Sequence, residues 1–307
     1  MVSNNPLINR QRGCLLGLAC GDAVGTTVEF RARGSFPPMT DMIGGGPFGL
    51  PVGAWTDDTS MALCLAASLV ETGRFDADDQ MRRYCDWHDN GYMSSTGRCF
   101  DIGLTVSGSL RRYQQTGNPF SGRLEPNSAG NGCIMRLAPV PMFFHPDMEQ
   151  VAFWAGESSR TTHGAPECIE SCQLLALMIG AALDGKSKDE VLFGHDSSRF
   201  QTPKVRAIAS GEWRQKGMAD LSGSGYVIHC LESSVWCFWK TDTFRDAVLM
   251  AVNLGDDADT TGAVCGQLAG AFYGEDGIPP EWLARLVMID EIRLLADRLA
   301  ASAPQES

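Results

Sequence analysis

The chain is short of basic residues relative to acidic ones. Among its 307 residues, 37 are Asp or Glu and 25 are Lys or Arg, which gives a formal net charge of −12 at pH 7. Such a negative field repels phosphate backbones and anionic membrane surfaces, so we expect no nucleic-acid partner and no membrane partner. The same surplus of negative charge makes a bound cation useful if the substrate carries phosphate.

The cysteines lack any metal-binding or redox pattern. All 11 are scattered singly, without a Cys-x-x-Cys pair and without zinc-type Cys/His spacing. Cys168 and Cys172 lie one helical turn apart, which explains their proximity in the sequence. We therefore expect reduced thiols in a cytoplasmic protein, most of them packed as small hydrophobic side chains.

No apolar run is long enough to cross a bilayer. The run at residues 14–20 is interrupted by Gly17 and followed by Asp22, so we expect no signal peptide. The longest run, residues 174–183, has about half the length that a membrane span needs. It therefore predicts a buried core helix.

Two-residue alternation of apolar and polar side chains is also almost absent, so no sheet is expected. Helical periodicity dominates instead, and no linker divides the chain. We predict a single compact, all-α, multi-helix domain over residues 1–307, with a core from about 8 to 300 and a frayed tail at 302–307. The predicted helices cover residues 8–23, 59–71, 77–90, 103–115, 132–143, 147–158, 165–184, 224–239, 242–253, 258–273 and 280–300, and Gly- and Pro-rich loops cover 33–54 and 116–130.

Two short acidic clusters are the strongest chemical signal in the chain. Thr56-Asp57-Asp58-Thr59 and Asp256-Asp257-Ala258-Asp259-Thr260 each open an apolar helix. Either cluster alone would fit a capped helix start or a solvated turn, but adjacent carboxylates repel unless a cation or a proton relieves them. If the two helix starts face each other, they form the all-oxygen site that Mg²⁺ and Mn²⁺ prefer. Because Asp257 and Asp259 are separated by one residue, we expect their side chains to chelate together and the side chain of Asp256 to point elsewhere.

Three further segments carry side chains suited to chemistry. Glu29 follows the first helix and fits either a surface residue or a partly desolvated general acid or base. His163 precedes a long apolar helix and fits either a structural role or, with its threonine neighbours, a phosphate site. The Gly-rich turn at residues 128–136 lacks a P-loop lysine and follows no strand, so neither a Walker motif nor a dinucleotide fingerprint applies.

Taken in order, these segments resemble the ADP-ribosylglycohydrolase family, which includes dinitrogenase-reductase-activating glycohydrolases and ADP-ribosyl-acceptor hydrolases. The resemblance extends over roughly residues 8–275. An ordered set of matches is far more specific than any one motif. The matching segments are Gly17-Leu18-Ala19-Cys20-Gly21-Asp22-Ala23 with Glu29-Phe30, Trp55-Thr56-Asp57-Asp58-Thr59, Phe100-Asp101-Ile102-Gly103, Gly130-Asn131-Gly132 with Met135-Arg136 and Ala138-Pro139, Thr162-His163, Ser224-Gly225-Tyr226-Val227, and Gly255-Asp256-Asp257-Ala258-Asp259-Thr260.

The resemblance implies a compact all-α fold around a binuclear centre of two divalent cations, Mg²⁺ or Mn²⁺. Asp256 stands where many members have Gly, which leaves the chelating residues intact. The resemblance implies that Glu29 lies beside the metals and that Asp101 lies near the substrate ribose. The metal ligands that it implies are Thr56, Asp57, Asp58, Asp257, Asp259 and Thr260, and the implied contacts to ADP-ribose are Asn131, Gly132, His163 and Tyr226.

The resemblance also implies a reaction, the hydrolysis of the glycosidic bond between ADP-ribose and an acceptor. Glu29 or Asp101 would take a proton from the attacking water or relay one to the leaving group. An arginine N-glycoside on a modified protein is the expected substrate. Serine O-glycosides, O-acetyl-ADP-ribose and other ADP-ribosylated targets remain open, as does the choice between housekeeping and immunity against an ADP-ribosylating toxin.

Two other classes of function remain beside this one. Some proteins of this fold have lost catalysis and only bind, although here every implied metal ligand is present. A two-metal phosphohydrolase acting on a nucleotide would use the same ligands, but the match in the sugar-binding segments argues against it. We expect the protein to be a monomer, because one closed helical domain can bury its own core.

Overall fold

The computed structural model describes residues 5–302 of the chain. Within that range the protein is helical, and its only β-type pairing consists of three isolated bridges, as the sequence periodicity predicts. The helices are α1 (Pro6–Gly25), α2 (Asp57–Thr72), α3 (Ala77–Asn90), α4 (Leu104–Thr116), α5 (Pro139–Phe144), α6 (Met148–Arg160), α7 (Pro166–Leu183), α8 (Lys188–Phe193), α9 (Pro203–Ala209), α10 (Val227–Lys240), α11 (Phe244–Val252), α12 (Ala258–Tyr273), α13 (Pro280–Leu283) and α14 (Ile289–Ser302).

Helices α1 and α12 form the central pair of the fold, and they touch along a ladder of glycines. The ladder consists of Gly13, Gly17, Gly21 and Gly25 of α1 and Gly262, Gly266 and Gly270 of α12. A Cβ atom added at Gly21 would lie 2.0 Å from the carbonyl oxygen of Gly262. Only a residue without a side chain lets the two backbones approach this closely. At the end of the same ladder, Gly25 lies against the backbone of Asp259. The glycines therefore bring the end of α1 to the start of α12.

Helix α7 is the core helix that the longest apolar run predicts. By length and composition it could cross a membrane, but 67% of it is buried inside the protein. It packs against α6, α10 and α12. An apolar helix surrounded in this way belongs to the interior of a globular protein.

Two predicted helices are wrong in extent. The prediction for residues 132–143 fails because residues 131–138 form turns, and only α5 is helical. Pro139 begins α5, since proline fits the first turn of a helix, where its missing N–H leaves no intrahelical bond unmade. The helix predicted over residues 280–300 is divided into α13 and α14 by a turn in which Met288 has a φ of +57°.

Two short helices, α8 and α9, lie in a segment where no helix was predicted. A capping box between Ser187 and Glu190 starts α8, and Pro203 occupies the first turn of α9. At the other end of the chain, Ser302 is the last residue of α14, and the rest of the predicted frayed tail lies outside the described residues. All eleven cysteines are free thiols, as predicted.

Candidate metal centre and substrate cavity

The starts of α2 and α12 meet in the structure although they are far apart in the sequence. The Oγ1 atom of Thr56 lies 3.2 Å from a carboxylate oxygen of Asp259 across a separation of 203 positions. The hydroxyl of Thr260 donates to Asp58, also at 3.2 Å. Carboxylate oxygens of Asp57, Asp58 and Asp259 lie within 4.8 Å of one another. The two acidic clusters therefore form one site.

A second group of carboxylates adjoins the first. Oxygens of Glu29, Asp101 and Asp259 also lie within 4.8 Å of one another, so Asp259 belongs to both groups. Glu29 follows the end of α1, and Asp101 precedes α4 with a φ of +61°. A left-handed backbone at a residue with a side chain is uncommon and tends to occur at functional sites. Asp101 is placed in the site by this backbone conformation.

Asp256 plays a backbone role beside the site. Its side chain is exposed and takes no part in either carboxylate group. Its carbonyl oxygen accepts a hydrogen bond of 2.7 Å from the backbone N–H of Phe30, which itself has a φ of +61°. This bond holds the segment that carries Glu29 against the loop before α12. The expectation that Asp256 points away from the chelating pair agrees with this geometry.

Asp22 is the site residue that sequence reasoning missed. It is fully buried near the end of α1, and its carboxylate accepts hydrogen bonds from the backbone N–H groups of Thr56 and Thr59 at 2.9 and 3.1 Å. It also accepts from both threonine hydroxyls, at 3.0 and 2.6 Å. Thr56 makes no side-chain cap of its own, so Asp22 caps α2 from another helix. The available signal was the position of Asp22 directly after Gly21 in the glycine ladder.

Burial and mutual repulsion raise the pKa of these carboxyl groups. Desolvation, together with the charges of Asp101 and its neighbours, raises the pKa of Glu29 to about 10. Desolvation and the charge of Asp22 raise the pKa of Asp101 to about 7. Burial also holds the pKa of Asp57, Asp58 and Asp259 well above the usual range.

The protein supplies no cation to this cluster. Within residues 5–302, neither Glu29 nor any Asp of the two clusters forms an ion pair with Lys, Arg or His. The Oε2 atom of Glu29 and the Oδ2 atom of Asp58 are buried without a hydrogen-bond partner. Buried anionic oxygens are costly unless a proton or a cation satisfies them. The all-oxygen donor set therefore fits hard divalent cations.

A cavity of about 590 Å³ opens over the acidic cluster. Its volume is within the range of pockets that enclose a small organic ligand. A second wall of the cavity consists of the turn from Gly130 to Gly132 and the ring of His163. A Cβ atom at Gly132 would lie 2.9 Å from Cε1 of His163, so the glycine lets the ring pack directly beneath the turn. Asn131 connects the two walls, because its amide donates to Asp257 at 2.9 Å.

Three predicted site residues do not line the cavity. Thr56 and Asp58 lie behind its acidic wall, where they bond to Asp259 and Thr260. Tyr226 pairs its backbone with Gly130 outside the lining. The other predicted residues line the cavity, and they are Glu29, Asp57, Asp101, Asn131, Gly132, His163, Asp257, Asp259 and Thr260.

The side chain of Tyr226 is directed to two other residues. Its hydroxyl donates to Glu167 at 2.5 Å and accepts from Lys204 at 2.6 Å. The ring also lies under the Lys204 ammonium group, 4.9 Å from the ring centroid. A substrate contact through the Tyr226 hydroxyl therefore competes with two hydrogen bonds that are already formed, and its role in binding stays a prediction.

Apolar side chains form one side of the cavity mouth. Leu104 is 93% exposed and Phe30 is 68% exposed. Phe48 packs edge-to-face between Phe30 and Phe100, with ring centroids 6.3 and 5.2 Å away. Such a surface suits a flat ring or an apolar segment of a protein. Sequence reasoning missed Phe48 because it lies in a Gly- and Pro-rich loop without periodicity.

Comparison with known proteins places this architecture in a family. The model of the ADP-ribosylglycohydrolase family matches residues 3–307. The chain belongs to the ADP-ribosylglycohydrolase family. A solved structure described as an ADP-ribosylglycohydrolase-related protein complex superimposes on this family member with a TM-score of 0.85 and 40% identity, covering 97% of this chain and 99% of that chain. The predicted family and all-α fold are confirmed.

Curated relatives of this ADP-ribosylglycohydrolase include enzymes from several bacteria. The ADP-ribosylarginine hydrolase Tri1 of Serratia proteamaculans (strain 568) is 42% identical over 100% of this chain and 83% of its own length. Tri1 of Pseudomonas putida (strain GB-1) is 43% identical over 97% and 80%. The ADP-ribosyl-[dinitrogen reductase] glycohydrolase of Rhodospirillum rubrum is 33% identical over 96% and 97%.

Proposed function

We propose that the protein hydrolyses the N-glycosidic bond between ADP-ribose and an arginine side chain of a modified protein. The convergence of the α2 and α12 carboxylates with Glu29 and Asp101 at one wall of a cavity of about 590 Å³ carries this proposal. The two Tri1 relatives, 42% and 43% identical, are named as hydrolases of ADP-ribosylarginine. A similarity of this extent, with the acidic residues intact, supports the same reaction here.

Two divalent cations, Mg²⁺ or Mn²⁺, are part of the proposal. When bound, they supply Lewis-acid chemistry toward oxygen ligands. The buried carboxylates ionise together once positive charge offsets their repulsion. The residues that would hold the cations are Thr56, Asp57, Asp58, Asp257, Asp259 and Thr260.

Glu29 and Asp101 are the proposed acid–base pair. Their oxygens lie within 4.8 Å of each other, so both carboxyl groups can reach one reacting centre to take and return protons. As the C–N bond to the ribose breaks, a water oxygen bonds to the same carbon. One carboxylate takes the proton of the water, and one returns a proton to the leaving nitrogen. Neighbouring carboxylates stabilise the positive charge that develops on the ribose ring.

The second wall, formed by the turn from Gly130 to Gly132 and by His163, would hold the rest of ADP-ribose. Gly132 leaves room for close approach, and Asn131 and His163 present polar groups to the cavity. The partner is an ADP-ribosylated protein, which a monomer of this enzyme meets in the cytoplasm. The eleven free thiols support a reducing compartment.

The test is a panel of substrates incubated with protein loaded with Mg²⁺ or Mn²⁺. The panel contains proteins modified on arginine or on serine, together with O-acetyl-ADP-ribose, and chromatography quantifies the ADP-ribose released. We expect release from the arginine linkage and its loss in the Asp257→Ala variant. Normal turnover by that variant would contradict the mechanism. Binding of ADP-ribose without release would identify a non-catalytic binder, and phosphate release would identify a phosphohydrolase.

A further inference from the structure

Arg136 is a buried cation without an anionic partner. Its side chain is 1% exposed, and none of its hydrogen bonds within residues 5–302 reaches a carboxylate. Nη1 donates to the carbonyl of Gly132 at 2.8 Å, and Nη2 donates to the hydroxyls of Thr161 and Thr162 at 3.3 and 2.7 Å. The guanidinium also lies over the ring of Tyr84, 4.9 Å from its centroid. A buried unpaired charge is costly, which points to a role beyond packing.

The shorter of these two hydrogen bonds, to the hydroxyl of Thr162, connects Arg136 to His163 in the cavity wall. The Oγ1 atom of Thr162 is 2.8 Å from Nδ1 of His163. A guanidinium can only donate, so Arg136 occupies a lone pair of Oγ1 and leaves the hydroxyl proton free. Thr162 is fully buried, and within residues 5–302 Nδ1 is the only acceptor in contact with that hydroxyl. The hydroxyl of Thr162 therefore donates to Nδ1, and His163 carries its proton on Nε2.

The Nε2 edge of His163 is the edge beside the cavity. The ring lines the cavity, and Nε2 has no hydrogen-bond partner within the part of the chain that the structure describes. The nearest backbone is glycine: a Cβ atom at Gly130 or Gly132 would lie 3.4 or 3.3 Å from Nε2. Burial lowers the pKa of His163 to about 4; the neighbouring Cys133 opposes this shift, and the charge of Arg136 adds to it. The ring is therefore neutral at pH 7 and presents one donor.

We propose that Arg136 is a positioning residue that, through the Thr162 hydroxyl, holds His163 as the Nε2–H tautomer, which donates to an oxygen of ADP-ribose. The identity of the ligand rests on the proposed function, whereas the tautomer does not. A fixed donor suits ADP-ribose, because its diphosphate and ribose groups are rich in acceptor oxygens. Arg136 itself lies outside the cavity lining and acts only through its neighbours.

Nitrogen NMR of the full-length, Mg²⁺-loaded protein with ¹⁵N-labelled histidine tests the tautomer, with His163→Gln assigning the signals. We expect Nε2 to be protonated and Nδ1 to be unprotonated at pH 7. In Thr162→Val the hydroxyl is lost at nearly constant shape, so both tautomers should be populated. Calorimetric titration with ADP-ribose should then give a Kd raised about twofold, because only the fraction of the protein with a proton on Nε2 presents the donor. Thr162→Ser should restore the tautomer and the affinity.

Thr161→Val is the matched control. The Thr161 hydroxyl accepts from Arg136 and from Gln80 within the same buried network, but it makes no contact with His163. This variant should lower the melting temperature while it leaves the tautomer and the Kd unchanged. An equal loss of affinity in both valine variants would show a structural role only and overturn the proposal.

The nitrogen spectrum of the wild-type protein reports the tautomer of His163 even if Thr162→Val does not fold. A proton on Nδ1 of His163 at pH 7, or an imidazolium ring, overturns the proposal. Failure of the proposed function is distinguishable, because the tautomer and the affinity for ADP-ribose are read without any hydrolysis.

Discussion

The two walls of the cavity carry opposite and unbalanced charges. On one wall Glu29, Asp57, Asp101 and Asp259 are gathered, and within residues 5–302 none of them forms an ion pair with a protein cation. Behind the other wall Arg136 is buried, and none of its hydrogen bonds in the same range reaches a carboxylate. Elsewhere, charged side chains pair in the ordinary way, as Arg12 does with Asp297 at 2.6 Å.

This contrast shows what each wall is built to meet. A folded chain that keeps buried charges unpaired loses stability, so the missing counter-charge belongs to the molecules that bind. The acidic wall requires cations, which fits a divalent metal centre. The second wall presents neutral donors in front of a buried positive charge, which fits an anionic diphosphate. ADP-ribose with two cations supplies both.

Removing one carboxylate of the acidic wall should have the largest effect on activity. Asp259 belongs to both carboxylate groups, so Asp259→Asn should lower kcat more than about 100-fold. This loss exceeds the roughly 10- to 100-fold loss that is usual when the mutated residue only orients a metal ligand. Steady-state release of ADP-ribose measures this effect. The exposed neighbour gives the control, and Asp256→Asn should change kcat by less than about twofold. Equal effects of the two substitutions would remove the distinction between site and bystander.

Separating α1 from α12 should break the acidic wall indirectly. A Cβ atom at Gly21 would lie 2.0 Å from a carbonyl oxygen of α12, so Gly21→Ala should lower the free energy of unfolding by about 3 kcal/mol. Gly108 is also helical, but a Cβ atom there meets only a flexible side-chain atom at 3.5 Å. Gly108→Ala should therefore stabilise by up to about 1 kcal/mol. Urea unfolding compares the two variants, and a neutral Gly21→Ala would show that the ladder is not rigid.

The charge on the acidic wall should also appear in the pH dependence of stability. Without cations, the folded-state pKa values of Glu29 and Asp101 are raised from 4.5 and 3.8 to about 10 and about 7. The folded protein then binds more protons than the unfolded chain does, so the free energy of unfolding should fall as pH rises from about 5 to about 8. Thermal unfolding in EDTA measures this slope. Added Mg²⁺ and the Glu29→Gln substitution should each flatten it.

Tyr226→Phe should have the smallest effect. The Tyr226 hydroxyl is bonded to Glu167 and Lys204 rather than presented to the cavity, so KM should change by less than about threefold. Initial rates at varied substrate concentration measure this change. A larger rise in KM would show that the hydroxyl leaves Glu167 and Lys204 to bind substrate, and the second wall would then extend to α10.

The sequence predicted the long helices well because their starts and ends have local causes. Asp76 caps α3 with its own side chain, and Gly73 and Gly91 end α2 and α3 in left-handed backbone conformations. The helix predicted over residues 132–143 failed where prolines and a functional turn override apolar periodicity. Short helices such as α8 carry too few residues for a periodic signal.

Within the candidate site, the residues that the sequence predicted are those that form local clusters along the chain. The pairs around Asp57 and Asp259 stand out because neighbouring carboxylates repel each other unless a cation or a proton offsets their charge. Asp22 and Arg136 are single residues in apolar segments, and their functions depend on partners far away in the chain: Asp22 caps a helix 34 positions later, and Arg136 bonds to Thr162 across 26 positions. No local pattern reports such a contact.

By itself, then, the sequence determined the helical class, the family and the chemistry of an all-oxygen site, because these follow from residue type and short spacing. Only the tertiary structure decided that Asp259 joins two carboxylate groups, that Asp22 caps α2 and that Arg136 orients His163. Hydrogen bonds and charge repulsion depend on distances of a few ångströms. Those distances exist only after the glycine ladder has brought α1 and α12 together.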